Sequence, residues 1–547
     1  MKLFIFKNYY GIIIISLLLS NSIFAQTGNT LLGTNAGTSI TTADSIVAIG
    51  LNAGRLTSTG SKHVLIGTNA GYNLNATPGN AVNSILSYSY SNVFIGQYAG
   101  YNATTALDNV FIGEQAGYNT TTAVDNIFIG PAAGLRNTTG RRNIYIGEKA
   151  GFEGTTSSQN IFIGRRAGYQ NTTGRDNTFI GSDVGSNNTT GWANTFLGGD
   201  YITTDSLLFV DKVTGIDNIT GSYNTFIGNA AGGDNGTGDF NTMIGYGAGA
   251  HSEHAKCNTF IGVGAGEDNN RSNNQNEGDF NSYLGYKTGR TNREGSYNVG
   301  FGAFADFVLN PYPNHTRISN TVFIGTFTSV NADGVTIVGN YSSASGTNGI
   351  AIGRYSSATA ANAIAIGYQA TATTANEVQI GNASHTSIGG AVNWTATSDG
   401  RFKTAVKENV VGLDFINQLR PVTYLFDGAK VMEHRGQNIS SDLYCAFETK
   451  DTIRYTGFIA QEVEQAAQNT DFNFSGIDKS KDYYGLRYAE FVVPLVKATQ
   501  ELSQKVENLE KENAAQKDLL AKYEAALESA LIQLEALKSE KFEVVNK

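Results

Sequence analysis

The sequence predicts a mainly β protein: a long parallel β-solenoid, then a small α+β unit, then a coiled coil. Three observations lead there. A unit of the form N-x-x-I-G-x-x-A-G returns every 17 residues along most of the chain, and toward the end of that region the period shortens to 14. Glycine accounts for 64 of the 547 residues against 6 prolines, yet only seven glycines stand from Gly400 onward, so the architecture changes there. Past that point the glycines give way to amphipathic helix patterns and a terminal heptad run.

The first element is MKLFIFKNYYGIIIISLLLSNSIFAQ. Lys2 and Lys7 precede an apolar run from Gly11 to Leu19, and the small Ala25 precedes Gln26. This is the pattern of a secretory signal peptide at residues 1–25, cleaved after Ala25; the run is short for a membrane anchor. No other stretch is apolar enough to span a bilayer, so the mature chain is expected to be exported, secreted or at the cell surface, with no membrane span.

The repeats come next. NVFIGQYAGYNATTALD, NVFIGEQAGYNTTTAVD and NIFIGPAAGLRNTTGRR follow one another without a gap, and the marker residues Ile95, Ile112, Ile129, Ile146, Ile163 and Ile180 are 17 apart. Leu32, Ile49 and Ile66 keep that period upstream, and Ile227, Ile244 and Ile261 resume it after an insertion around DYITTDSLLFVDKVTG. Ile324, Val338, Ile352, Ile366 and Ile380 are 14 apart, and about 20 units result. Each unit holds one short alternation such as Val-Phe-Ile, which puts the middle residue on one face and its neighbours on the other. One such strand cannot bury its apolar face alone, whereas stacked coils build a continuous interior. At ~4.8 Å per coil, the stack would run on the order of 95 Å.

Equivalent positions then align into columns. Asn92, Asn109, Asn126, Asn143, Asn160, Asn177 and Asn194 should form an amide ladder at a turn. Phe94, Phe111, Phe128, Tyr145, Phe162, Phe179 and Phe196 form an aromatic stripe too long to be left to water. It is expected to be a buried subunit interface rather than a ligand-stacking surface. In units such as NAIAIG the asparagine stands four residues before the marker instead of three, so those strands are entered differently. Asn137, Asn171 and Asn188 open N-T-T triplets that fit the glycosylation pattern but read better as turn residues.

Units N-x-x-I-G-x-x-A-G passing into NAIAIG units resemble the head repeats of trimeric autotransporter adhesins over roughly residues 29 to 390. The resemblance implies a left-handed β-roll, a homotrimer, and an aromatic column turned toward the trimer axis. Those adhesins end in a membrane β-barrel, and no such pattern follows here.

From Ser398 the chain reads SDGRFK, then GLDFINQLRPVTYLFD, YTGFIAQEVEQ and YYGLRYAEFVVPLVKATQ. Leu413, Ile416 and Leu419 mark a helix ending before Pro421, with a strand over Val422 to Phe426. Leu495, Leu502, Leu509, Gln516, Tyr523, Ala530 and Leu537 take one heptad position, and Thr499, Val506, Asn513, Leu520, Leu527 and Leu534 the other. They predict a coiled coil on the order of 65 Å long.

These segments in this order resemble the peptidase S74 family, the intramolecular chaperone of endosialidase that ends many phage tail fibres. The resemblance implies a unit that trimerises, guides folding of the fibre before it, and cuts itself off ahead of a motif serine. It implies Ser398 as nucleophile, Lys403 as general base, and Thr397-Ser398 as the scissile bond. A serine hydroxyl needs a neighbouring base, and lysine is one only where its ammonium is disfavoured. Arg401 is expected to crowd Lys403, trimer assembly to bury it, and Asp399 to position Ser398 or its backbone.

The expected domains are the signal peptide 1–25, head repeats 26–397, chaperone domain 398–494 and coiled coil 495–547. The resemblances together imply a secreted trimeric fibre or adhesin, with a surface glycan or protein as the ligand of the head. A non-cleaving adhesin whose C-terminal unit is only a stalk, and a phage-derived tail fibre, stand as alternatives. A net charge of -9 offers no footprint for nucleic acid. No cofactor or metal is expected, because Cys257 and Cys445 make no ligand-spaced pair. Both are expected to be unpaired packing residues, and His434, in the polar insertion EHRGQNISSD, a loop histidine. No clustered acids point to hydrolysis of an external substrate.

Overall fold

The computed structural model describes residues 28–58, 60–75, 91–199, 213–270, 277–307, 317–437, 439 and 441–545. The expected signal peptide and most of the insertion after Gly199 lie outside them. The chain divides into two compact units between Asn382 and Ala383.

The first unit is the solenoid. One three-residue strand from each coil joins a 20-stranded parallel sheet, from Thr30–Leu32 to Val378–Ile380, and the third residue of every strand is the marker. Register follows the repeat: Val110 pairs with Ile127, Phe111 with Phe128 and Ile112 with Ile129. Both periods feed the same sheet, because a coil need only return its strand to the next rung.

The aromatic column corrects one expectation. Phe94, Phe111, Phe128, Tyr145, Phe162, Phe179 and Phe196 are wholly buried within a single chain, not at a subunit interface. Their rings, continued by Phe226, stack in parallel with centroids 4.6 to 4.9 Å apart. The flanking residues, Val93 and Ile95 for example, are the half-exposed ones. Alternation says only that middle and flanks oppose each other; the lumen of the coil decides which faces in. Room for the ring comes from the AG glycine. Gly117 sits at φ +59°, and a Cβ there would come within 2.5 Å of the Phe111 ring.

That glycine position, five residues after the marker, also separates the two periods. It is glycine in the 17-residue coils, as at Gly100, Gly117 and Gly134, and it becomes Asp306, Ser329, Ser343, Ser357 and Thr371 toward the end. Each of those five opens a two-residue strand, and together they form a second, 5-stranded parallel sheet. A residue with a Cβ avoids the left-handed turn, so the backbone runs on extended. The coil flattens between two sheets, and the interior shrinks to residues such as Ala351, Ala358, Ala365 and Ala372.

The amide ladder forms as expected. Asn126 Nδ2 donates to Asn109 Oδ1 and to the Gly140 carbonyl, both at 2.9 Å, and its Oδ1 accepts the Asn143 backbone N–H at 3.0 Å. In the short coils Asn348, Asn362 and Asn376 instead take the left-handed corner just before the buried position, at φ 58°, 55° and 62°. The long coils make the same left-handed corner four residues before the marker, at Asp108, Asp125 and Arg142 for example. The backbone thus enters the strand alike in both, and only the place of the asparagine differs, contrary to expectation. Asparagine suits the corner because it tolerates that region. Asn171, Asn188, Asn218 and Asn235 build a second buried ladder, with links of 2.8, 2.9 and 2.7 Å. The N-T-T asparagines are therefore interior turn residues.

Among the described residues the second unit holds five α-helices: α1 (Leu413–Ile416), α2 (Gly428–His434), α3 (Ser441–Lys450), α4 (Ala460–Asn469) and α5 (Val492–Val545). Strands Val422–Leu425 and Arg454–Gly457 pair antiparallel, as do Ile477–Asp478 and Gly485–Leu486. Phe415, Val463, Ala466, Ala467, Phe474 and Phe491 form the core. The strand after Pro421 stands where expected, while the helix before it is shorter, ending at Ile416 and leaving Leu419 outside. His434 does not lie in a loop: it closes α2, with Nε2 3.0 Å from Asp482. Cys257 and Cys445 are unpaired but exposed, so neither is a packing residue. The heptads lie on one 54-residue helix, α5, with Pro494 in its first turn, where no donor is lost.

Candidate functional site

The local sequence explains the geometry at the seam. Asp399 caps a 3-10 turn, Gly400–Phe402, by accepting the Arg401 backbone N–H at 2.8 Å, and the Lys403 N–H closes the turn on the Gly400 carbonyl at 3.1 Å. One short turn brings the fifth residue back over the first. Lys403 Nζ donates to Ser398 Oγ at 2.7 Å. The structure thus joins the two residues that the sequence singles out, with Thr397 directly before them.

Asp399 and Arg401 pair with each other. The guanidinium forks onto the Asp399 carboxylate, with Nη2 to Oδ2 at 2.7 Å and Nε to both oxygens at 3.1 Å. The Arg401 side chain, then its backbone N–H, hold the Asp399 carboxyl below the usual carboxylate range, and Asp399 pushes the guanidinium up. The Arg401 charge is thus paired with Asp399, and Asp399 orders the turn that separates Ser398 from Lys403.

Ser398 and Lys403 are both exposed, as is almost every residue from His385 to Val410. Within one chain Lys403 lacks the apolar surroundings that a general base requires. What the single chain leaves open is matched by other unpartnered surfaces. From Leu502 to Ser539 every residue of α5 is exposed, Leu509, Leu520, Leu527 and Leu534 among them. Only the first turns of α5 are packed: Ala498 is buried, and Glu501 Oε2 accepts the Leu413 N–H at 2.8 Å. In the solenoid the outward aliphatic pair of each strand forms a half-exposed stripe, including Ile324, Val338, Ile352 and Ile366.

His63 was not singled out by the sequence. It occupies the ladder position before Asn92, with Nδ1 accepting the Asn92 backbone N–H at 3.2 Å, while Nε2 is buried without a partner. Burial pushes its imidazole down to about 4. The signal was the break in the column, a histidine where the next coil carries Asn92 and the preceding one Ile46. Among the described residues no His, Cys, Asp or Glu group could hold a metal ion, and no helix is long and apolar enough to cross a membrane.

Two family models match the chain. Residues 398–471 match the model described as chaperone of endosialidase, peptidase S74, with the match opening on Ser398. Residues 338–376 match the YadA head domain repeat in three overlapping stretches, 338–356, 344–370 and 358–376, all within the 14-residue coils. No curated protein matches. The chain is thus a composite, a solenoid with adhesin-type head repeats ahead of an endosialidase-type chaperone region.

Proposed function

We propose that the chain is a secreted, homotrimeric surface fibre whose C-terminal unit drives trimerisation and folding and then cuts the Thr397-Ser398 bond in cis. Residues 26–397 are the head delivered, 398–494 the chaperone domain and 495–547 the coiled coil. The adhesin-type repeats favour a surface-exposed rod and a trimer, and the bare stripe of α5 gives three copies a common seam. The observation that carries the cleavage reading is the 2.7 Å contact between Lys403 Nζ and Ser398 Oγ, at the residue where the family match begins.

In the reaction, Lys403, made neutral by burial, takes the Ser398 hydroxyl proton. The oxygen attacks the Thr397 carbonyl carbon, and the Thr397-Ser398 amide breaks as its nitrogen receives the proton back from Lys403. The chain is then held by an ester between the Thr397 carbonyl and Ser398 Oγ. Water hydrolyses it, leaving a Thr397 carboxyl and a free Ser398 amino terminus. Exposure of the pair in one chain makes assembly the step that arms it.

Denaturing electrophoresis tests this. Wild type should give fragments 26–397 and 398–547. Ser398→Ala and Lys403→Ala should leave full-length chain, and so should Lys403→Arg, since a guanidinium cannot act as the base. Wild type that stays intact after trimers form would instead identify the C-terminal unit as a stalk.

A further inference from the structure

Lys450, the last residue of α3, is the one lysine or arginine buried among the described residues, at 7% exposure. Its ammonium donates to the carbonyls of Ala383 and, at 2.7 Å, of His385. The Phe426 ring centroid lies 5.4 Å from Nζ, and burial lowers the affinity of the amine for its proton against the opposing pull of Asp451. Desolvating an ammonium is costly, so its two main-chain bonds must define the position of whatever they hold. The support beneath is built for a close approach. Met432, Leu443 and Phe447 are buried, and Gly428 opens α2 where a Cβ would lie 2.5 Å from the Phe447 ring and 3.2 Å from the Ala383 carbonyl oxygen.

What is held matters because of where it lies in the chain. Ala383 to His385 precede the Thr397-Ser398 bond, while α2, α3 and Lys450 follow it. The stretch from Thr386 to Thr397 between them is exposed and forms no helix or strand. We infer that α2, α3 and Lys450 form a latch on the Ala383–His385 backbone, which keeps fragment 398–547 attached to fragment 26–397 after the peptide bond is cut. Release is then a second event, opening of the latch, separate from the chemistry. The inference rests on the proposed cleavage for its timing, but the grip itself does not depend on it.

The experiment follows the full-length protein by size-exclusion chromatography in native buffer. Cleaved wild type should elute with 26–397 and 398–547 together and separate only in denaturant. Lys450→Met, which keeps the stem and removes the donors, should release 398–547 about 10- to 100-fold faster, and Lys450→Arg should retain it. If no self-cleavage occurs, the cleavage reading fails but the latch is still tested. A specific protease site placed between Ile388 and Val392 in the Ser398→Ala background is cut instead, with the same elution expected. Should Lys450→Met lose helical circular dichroism, Lys450→Gln decides, by faster release than wild type. Prompt separation of the wild-type fragments, or a Lys450 variant that folds and releases no faster, would overturn the latch.

Discussion

In the solenoid, each coil finds its partners in the next coil of the same chain. Asn126 bonds to Asn109 and Asn143, Phe111 stacks on Phe94 and Phe128, and the sheet runs through every rung. In the C-terminal unit, Ser398 and Lys403 meet each other but nothing that covers them, and α5 exposes its heptad stripe to solvent. The first region can close its interior within one polypeptide by neighbour-to-neighbour terms. The second leaves Ser398, Lys403 and the heptad stripe exposed in a single chain, which is what the proposed trimer would cover. A rod of near-identical coils can also stack out of register, and on the proposed reading the terminal unit supplies a common start.

The sharpest way to break this contrast is at α5. Leu509→Asp combined with Leu520→Asp places two carboxylates in the heptad seam, which should abolish trimers and lower the cleaved fraction at least ~100-fold. Light scattering and denaturing electrophoresis on the same sample check it. Efficient cleavage in a monomeric double mutant would show that the Ser398–Lys403 pair needs no partner copy.

A smaller effect is expected inside the solenoid. Gly117→Ser puts a side chain at φ +59° against the Phe111 ring and should cost about 3 kcal/mol, confined to neighbouring coils. The reverse change in the short coils, Ser357→Gly, removes no packed ring and loosens one rung of the second sheet by about 1 kcal/mol. Hydrogen exchange at the adjacent strands measures both, and cleavage should be unchanged by either. Equal costs would mean that this glycine is required by the turn alone and not by the ring beneath it.

The sequence and the structure agree where identical units must stack, because register then follows from period: every marker from Leu32 to Ile380 is a strand residue. They part over direction. Alternation in Val110-Phe111-Ile112 is symmetric, so it cannot tell lumen from outside; ring size against the AG glycine does. The Ser398–Lys403 contact was legible because Ser-Asp-Gly is local turn chemistry. The burial proposed for that pair was not, since among the described residues of one chain both side chains stay exposed. Helices α2 and α3 were missed because one is short and the other weakly amphipathic. The Lys450 grip was missed because it joins residues 65 and 67 positions apart.

The most local effect, and the one that leaves the fold intact, concerns two buried titratable groups within the solenoid itself. His63 stands in the amide ladder as a neutral imidazole, at about 4 instead of its ordinary 6.5. As pH falls below 6.5 the unfolded chain takes up this proton first, so stability present at neutral pH drains away toward pH 4, by about 2 kcal/mol at pH 5. Asp306, where the second sheet begins, has the opposite sign. Burial raises its carboxyl to about 6, against the lowering bonds from Thr291 and Phe307. There the folded coil takes up the proton first, and its local stability grows as pH falls from 6 toward 3.8. Exchange protection corrected for intrinsic rates should therefore fall around Val64–Ile66 and rise around Asp306–Phe307 between pH 7 and pH 5. His63→Asn restores the amide and should flatten the first response while leaving the second. A solenoid that loosened uniformly with acid, or a His63→Asn chain as acid-sensitive at Val64–Ile66 as wild type, would place the proton elsewhere.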